Sequence, residues 1–295
     1  MSTKCLIVGG SGVIGSALKT ALSHAGREVW ITARPGNPTG FHRTLPLELS
    51  APGDFRLPIN PQSAFLCAAQ SKFLDCERDA ESSRGVNVTG NVAVAAMLLK
   101  KEAFVVFLSS GAVFDGSARL PGETSSLSAT TEYGRQKAEA EERLLELDNG
   151  KGNVAIVRLT KVLSSRTDIV RKFIERLKRG ESVEAFSDFH LSSVSLAYVV
   201  NSLLIIESSR TGGIFHLSGE TELSYAELAR RFADKLGVSE DLVRETTVER
   251  SRNPPVYRPR HSALGMSLTA KTLGLNPEPV DAMLANLLAD ASTEP

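Results

Sequence analysis

The fold is decided by residues 5–15, which read Cys5-Leu6-Ile7-Val8-Gly9-Gly10-Ser11-Gly12-Val13-Ile14-Gly15. The four apolar residues predict a buried strand, and the G-x-x-G-x-x-G spacing opens directly into a helix. A diphosphate binds main-chain N–H groups at a helix N-terminus, where glycine leaves the backbone uncovered. We therefore predict that a dinucleotide cofactor is bound by Gly9, Ser11, Gly12, Val13, Ile14 and Gly15. The alternative is an ordinary tight turn.

The first half of the chain repeats this alternation of strand and helix. Further strands are predicted at 28–32, 64–67, 104–108, 154–157 and 213–217, and helices at 86–100, 131–147, 169–179, 196–206 and 224–235. This rhythm is typical of an α/β fold of the Rossmann type, with a doubly wound parallel sheet of about six strands. Helix 86–100 is apolar on nearly every face and packs against the sheet and either a neighbouring element or a partner subunit, which leaves a homodimer open.

We expect two regions along the chain. Residues 1–163 form the dinucleotide-binding domain, whose sheet and helices also receive about 190–218. Residues 164–189 and 219–295 form a smaller, mostly C-terminal region that binds the substrate. Within it, 252–260 is rich in proline and arginine, which favours an extended segment lying across a surface.

Composition excludes several classes of partner. The 34 basic residues balance 34 acidic ones, so no net field would gather nucleic acid or an anionic membrane. No apolar run reaches the roughly 18 residues of a membrane span, and the N-terminus lacks the regions of a signal peptide, so we expect a cytoplasmic protein. Cys5, Cys67 and Cys76 lack paired spacing and are expected to be reduced thiols. His190 and His216 have no partner at metal-ligand spacing, and no metal is predicted.

The end of the second strand bears on the choice of cofactor. It reads Thr32-Ala33-Arg34, whereas enzymes that use NAD usually place a carboxylate there to bind the adenine ribose. A guanidinium can pair with a 2′-phosphate through two hydrogen bonds, so Arg34 predicts NADPH/NADP. In the alternative interpretation Arg34 stacks on adenine or faces water, and NADH remains open.

Tyr133 and Lys137 are the candidate reacting groups. At spacing i, i+4 both side chains project from one face of the predicted helix 131–147. An ammonium beside a phenol favours the phenolate and lowers the pKa of the tyrosine from about 10, which would make it a usable acid. Ser110 ends a predicted strand, where open α/β sheets bind ligands, and can hydrogen-bond a carbonyl oxygen. The charged run 139–146 in the same helix is expected to be a solvated face with i, i+4 ion pairs.

The order of glycine turn, strand-end serine, tyrosine and lysine resembles the extended short-chain dehydrogenase/reductase family, over the whole chain. Within it the sequence is similar to dTDP-4-dehydrorhamnose reductases and related sugar-nucleotide reductases. The residues that carry this resemblance are Asn87-Val88, Val113-Phe114-Asp115-Gly116, Glu123, Arg258-Pro259, Ser262 and Leu264. It implies that Tyr133 is the proton donor, that Lys137 binds the nicotinamide ribose and that Ser110 polarises the carbonyl. It also implies cofactor contacts at Ala68 and Ala69.

The substrate side departs from the rhamnose-type pattern. Gly111-Ala112 replaces an aspartate and an aromatic residue, 160–164 replaces a glycine-rich turn, and 188–193 lacks a proline. Because all three stretches would border the substrate, the sugar need not be the rhamnose precursor. Arg258, with Arg260 and Lys161 as weaker candidates, could pair with a nucleotide diphosphate. The alternative is a solvated tail with incidental salt bridges.

Three functions follow. The first is an NADPH-dependent reductase of a nucleotide-activated keto-deoxysugar that serves surface polysaccharide synthesis. The second is a sugar-nucleotide epimerase or dehydratase that retains its cofactor. The third is a non-catalytic, NADP-binding regulatory subunit, because one relative of these reductases resembles a subunit of methionine adenosyltransferase.

Overall fold

The computed structural model describes residues 3–37, 39–251 and 254–292. Its strands are β1 (Lys4–Val8), β2 (Glu28–Ala33), β3 (Thr44–Pro46), β4 (Ser63–Leu66), β5 (Phe104–Ser110), β6 (Val154–Leu159), β7 (Lys161–Leu163), β8 (Val183–Phe186), β9 (His190–Ser195), β10 (Gly213–Leu217), β11 (Glu222–Ser224) and β12 (Val243–Thr246). Its α-helices are α1 (Val13–His24), α2 (Phe73–Arg78), α3 (Ala80–Arg84), α4 (Asn91–Leu99), α5 (Glu132–Asp148), α6 (Asp168–Lys178), α7 (Leu196–Ser209), α8 (Tyr225–Leu236), α9 (Ser267–Leu273) and α10 (Val280–Ser292).

Seven parallel strands form the central sheet, in the order β10-β6-β5-β4-β1-β2-β3. The strand order reverses beside β1, which is the switch point where doubly wound sheets bind ligands. This confirms the predicted Rossmann-type α/β fold. The expected six strands are all present, and β3 is the seventh; at three residues, it is too short to show a strand pattern in the sequence.

Helices cover both faces of the sheet. Along β1, Cys5 and Ile7 belong to a core cluster that includes side chains of α1 and α7, whereas Leu6 and Val8 belong to a second cluster with side chains of α4 and α5. Successive residues of a strand point to opposite faces, so the run is continuously apolar because both faces are buried. None of the helices in the described ranges is long and apolar enough to cross a bilayer.

A separate apolar cluster lies in the C-terminal half. It joins side chains of α6, α8 and α10 to those of β8 and β12, including Phe173, Leu177, Phe232 and Leu284. Two small sheets, β11-β9-β7 and β12-β8, belong to this half of the chain. The proposed domain bounds remain a prediction. Of the extended tail, Arg252 and Asn253 lie outside the described residues, while 254–260 contains neither helix nor strand.

Candidate active site

The glycine turn joins β1 to α1 and is tied to the neighbouring strand. Gly9 has φ +85° and its N–H donates to Thr32 Oγ1 at 3.1 Å. A Cβ on Gly15 would lie 2.3 Å from the Gly9 carbonyl oxygen, so only glycine allows α1 to start this close to the turn. Gly12 precedes α1 and no side chain caps the helix.

The start of α1 therefore fits a dinucleotide diphosphate. Its first N–H groups have no intrahelical partner, and such groups with the helix dipole attract anions. Ser11 and Gly12 are exposed, and Val13 is 58% exposed, which is unusual for an apolar side chain beside the core. Ala68 lies directly against Gly9, where a Cβ on the glycine would come within 2.8 Å.

Arg34 follows β2 and is exposed, as the cofactor hypothesis requires. It lines a groove of about 460 Å³ with Glu48, Gln70 and Arg78. Its positive charge contributes to lowering the pKa of Glu48, although hydrogen bonds from Ser50 lower that pKa more. A carboxylate therefore lies near the guanidinium that is predicted to meet a 2′-phosphate.

Ser110, Tyr133 and Lys137 come together at the carboxyl end of the sheet. Ser110 ends β5, and the other two lie in the first turns of α5, whose N-cap is Thr131. Lys137 is 2% exposed; its Nζ donates to the Leu108 carbonyl oxygen at 2.8 Å and lies 5.8 Å from the centre of the Tyr133 ring. Ser110 and Tyr133 line the same cleft, and Ser110 is close enough to lower the pKa of the phenol. The structure thus brings together the three residues that the sequence singled out.

The electrostatics of the pair differ from the expectation. Burial raises the pKa of the Tyr133 phenol, Cys76 raises it further, and Ser110 partly opposes them. Lys137 does not contribute to this shift, so the pKa of the phenol is raised and the expected lowering by the ammonium does not occur. Burial also lowers the pKa of Lys137 to about 8, against the attraction of Glu141.

Behind these residues lies a buried ion pair between Arg158 and Glu141. Glu141 belongs to the run that was predicted to be a solvated face. Glu141 is 1% exposed and accepts hydrogen bonds from Arg158, the shortest at 2.7 Å, and from Ser109. The run 139–146 is therefore not a uniformly solvated face. Glu139 does form the predicted i, i+4 pair, with Arg143 at 2.7 Å. Glu141 turns inward because Arg158, on the adjacent β6, needs a buried counter-ion.

Two of the residues that carry the family resemblance, Asn87 and Glu123, make structural hydrogen bonds. The Asn87 amide donates to the Gln136 side chain at 2.7 Å, which ties the segment before α4 to α5. The Glu123 carboxylate accepts from the backbone and hydroxyl of Thr269.

His216 Nδ1 lies 2.8 Å from the Gly265 carbonyl oxygen, in the buried interior. Cys5 and Cys76 are buried and Cys67 is half-buried, and all three are free thiols, as predicted.

A cleft of about 1340 Å³ opens in front of Ser110 and Tyr133. All three stretches that depart from the rhamnose-type pattern contribute to its wall, which agrees with their predicted place beside the substrate. Cationic side chains on the wall are Lys72, Arg78, Lys161, Lys172 and Arg250, and aromatic ones are Phe73, Phe186, Phe189, Tyr225 and Tyr257. Ile14 joins the cleft to the glycine turn.

Two predicted substrate residues differ in position. Lys161 lines the cleft, and the surrounding protein lowers its pKa. Arg258 is not among the described residues of the wall, and its guanidinium lies 3.5 Å from the carboxylate of Asp188. Lys172, Arg250, Phe73 and Tyr257 were missed by the sequence analysis. Only the proline- and arginine-rich composition around Tyr257 hinted that this segment covers a surface.

A Rossmann-type sheet, an uncapped glycine turn and a Ser–Tyr–Lys trio at its carboxyl edge define the class of short-chain dehydrogenase/reductase proteins. Residues 3–293 match the family model described as the RmlD substrate binding domain. The chain belongs to this family of sugar-nucleotide reductases.

Similar proteins span nearly the same length. The chain is 25% identical to the probable low-salt glycan biosynthesis reductase Agl14 of Haloferax volcanii, covering 96% of each. It is 26% identical to dTDP-4-keto-6-deoxy-D-glucose reductase of Streptomyces niveus, covering 90% of this chain and 89% of the relative. It is also 25% identical to methionine adenosyltransferase 2 subunit beta of Mus musculus, covering 93% and 83%.

A solved structure shares the fold. The dTDP-4-dehydrorhamnose reductase of Bacillus anthracis, in complex with NADP, superimposes with a TM-score of 0.80 at 19% identity and covers 100% of both chains.

Proposed function

We propose that this chain is an NADPH-dependent reductase of a nucleotide-activated keto-deoxysugar, with Tyr133 as the proton donor. The observation that carries the proposal is that Ser110 and Tyr133 line one cleft, with Lys137 buried beside the tyrosine ring and the open start of α1 next to them. The named reductases among the relatives support the reaction class. The expected cytoplasmic location belongs to the same proposal.

The reaction reduces a carbonyl to an alcohol. The chemistry supplied by a bound nicotinamide is hydride transfer to the carbonyl carbon. Ser110 donates a hydrogen bond to the carbonyl oxygen and holds it beside the phenol. Tyr133 gives its proton to that oxygen and becomes a phenolate, which the ammonium of Lys137 stabilises. Lys137 also binds the cofactor ribose in this proposal.

The wall of the cleft supports a sugar nucleotide as the substrate. Lys161, Lys172 and Arg250 offer cations to a diphosphate, and Phe189 and Tyr225 offer aromatic faces to a base. Arg258 is retained as a further diphosphate ligand, for which its pair with Asp188 would have to open.

The proposed cofactor is NADPH/NADP, with Gly9, Ser11, Gly12, Val13, Ile14 and Gly15 around the diphosphate and Ala68 and Ala69 beside them. Ala69 packs in the cluster of Tyr133 and Phe73, and Ala68 lies against Gly9, so both border the expected path of the cofactor. Arg34 would pair with the 2′-phosphate. NADH remains the alternative because of the nearby Glu48 carboxylate.

The decisive experiment follows NADPH oxidation against a panel of 4-keto sugar nucleotides. We expect turnover with at least one, and we expect Tyr133→Phe to lose about 10²–10⁴-fold in kcat while NADPH binding is retained. Tyr198→Phe is the matched control, because that hydroxyl donates to the Asn276 carbonyl oxygen, away from the cleft. Full activity of Tyr133→Phe would refute the role assigned to this phenol.

Two rivals give different results in the same assay. An epimerase or dehydratase would convert a sugar nucleotide with no net consumption of NADPH. A regulatory subunit, the function favoured by the similarity to methionine adenosyltransferase 2 subunit beta, would copurify with a larger enzyme and reduce nothing in the panel.

A further inference from the structure

Two aromatic side chains cover the catalytic phenol from different parts of the chain. Phe73 begins α2, and its ring meets the Tyr133 ring edge to face, with centres 5.3 Å apart and planes at 75°. Tyr257 stacks on the other side of Phe73 at 5.4 Å and 17°. With Ala69, Cys76 and Ala112 these rings form one apolar cluster, in which only 9% of Tyr133 is exposed.

The outer ring is held in place by its own segment. Tyr257 belongs to residues 254–266, here called the strap, which contains neither helix nor strand. Its hydroxyl donates to the Phe114 carbonyl oxygen at 3.0 Å, and the strap also donates from the backbone of His261 to Gly116 at 2.8 Å. The Glu222 carboxylate accepts from the N–H of Ala263 at 2.9 Å. The stack is therefore a fixed part of the cleft.

We propose that the Phe73–Tyr257 ring pair is a positioning cover, which excludes water from the Tyr133 hydroxyl and holds the phenol protonated and turned toward Ser110. The inference rests on the proposed function for its catalytic meaning. Edge-to-face contact fixes the plane of the Tyr133 ring, and Tyr257 fixes Phe73 in turn. A dry, protonated phenol releases its proton to a carbonyl oxygen inside the cleft rather than to solvent.

Other groups also face the Tyr133 phenol, but none of them is the main cause of its raised pKa. Ser110 on β5 lowers the pKa of the phenol, Cys76 of α2 raises that pKa by a smaller amount than burial does, and Lys137 lies beside the ring on the same helix as Tyr133. Removal of water is the largest cause of the raised pKa. The two rings can supply that removal, because Phe73 packs on the Tyr133 ring and Tyr257 packs on Phe73 within one apolar cluster.

The cover can be tested without a substrate by ultraviolet titration of tyrosinate. The chain has four tyrosines, so each titration is repeated in a Tyr133→Phe background and the difference is assigned to Tyr133. We expect Phe73→Ala and Tyr257→Ala to move that component down by about one pH unit or more, because water then reaches the hydroxyl. Phe73→Leu and Tyr257→Phe retain most of the apolar side chain that packs there, so they should shift the Tyr133 titration much less. Circular dichroism at each pH confirms that the variant is folded.

A kinetic measurement connects the cover to catalysis. With a substrate from the 4-keto panel, kcat should fall about tenfold or more in the alanine variants and recover in the conservative ones, because a misdirected phenol loses its alignment. Folded alanine variants whose Tyr133 titration matches that of Phe73→Leu would overturn the inference and leave the reductase proposal intact. A shifted titration together with no turnover in the wild-type chain would instead count against the reductase proposal alone.

Discussion

Replacing Gly134 by alanine should displace α5 or the 111–113 turn by an amount that the structure sets. Gly134 follows Tyr133 in the first turn of α5, and a Cβ there would lie 2.1 Å from the Ala112 carbonyl oxygen. Real Cβ contacts essentially never fall below 3.0 Å, so α5 or the 111–113 turn must shift by about 0.9 Å. Each side of this contact lies next to a residue of the candidate site: Tyr133 precedes Gly134, and Ser110 lies two residues before Ala112.

A displacement of this size has a large expected effect on the reaction. Misplacing a reacting group by 1 Å can cost on the order of 10²-fold in rate, so we expect kcat of Gly134→Ala to fall by about that factor. Stability should fall as well, although alanine in a helix is otherwise about 0.5–1 kcal/mol more favourable than glycine. The assays are NADPH oxidation with a 4-keto sugar nucleotide and thermal unfolding followed by circular dichroism.

Gly53→Ala is the matched control, since a Cβ there meets no atom within 4 Å and the residue is exposed. We expect its kcat and melting temperature to remain close to those of the wild-type protein. Wild-type kcat and an equal or higher melting temperature in Gly134→Ala would refute the argument that this close approach aligns Tyr133 with Ser110.

Two further predictions concern charges around the site. Arg34→Ala should lower kcat/KM for NADPH by about 10- to 100-fold, the value of a charge-assisted hydrogen bond, with NADH as the internal control; an equal loss for both cofactors would contradict the 2′-phosphate role. Glu141→Gln removes a carboxylate that raises the pKa of Lys137, so the ammonium, with a pKa of about 8, should lose its proton at lower pH. The alkaline decline of the pH–rate profile should then move to lower pH in Glu141→Gln. It should stay in place in the control variant Glu139→Gln. An unmoved profile in Glu141→Gln would show that the Glu141 carboxylate does not act on Lys137.

Local order along the chain was sufficient to predict the core of this fold. A strand, glycine turn and helix within residues 5–26 depend on contacts between near neighbours, and a tyrosine and a lysine at i, i+4 share a helix face in any tertiary context. Six of the seven parallel strands follow from continuous apolar runs, because both faces of such a sheet are buried. The proximity of Tyr133 and Lys137 could be predicted because both lie on one helix face, and that of Ser110 because it ends a strand at the carboxyl edge of the sheet.

Only the tertiary structure decided which charges are buried and what covers the phenol. Glu141 lies in the same charged run as the half-buried Glu139, and the burial of Glu141 depends on its ion pair with Arg158 of β6. Phe73 packs on Tyr133, and Tyr257 packs on Phe73, through contacts between distant segments, and burial raises the pKa of the phenol. Spacing in the sequence determines which side chains can meet on one helix. The removal of water from a side chain depends instead on every segment that packs around that side chain.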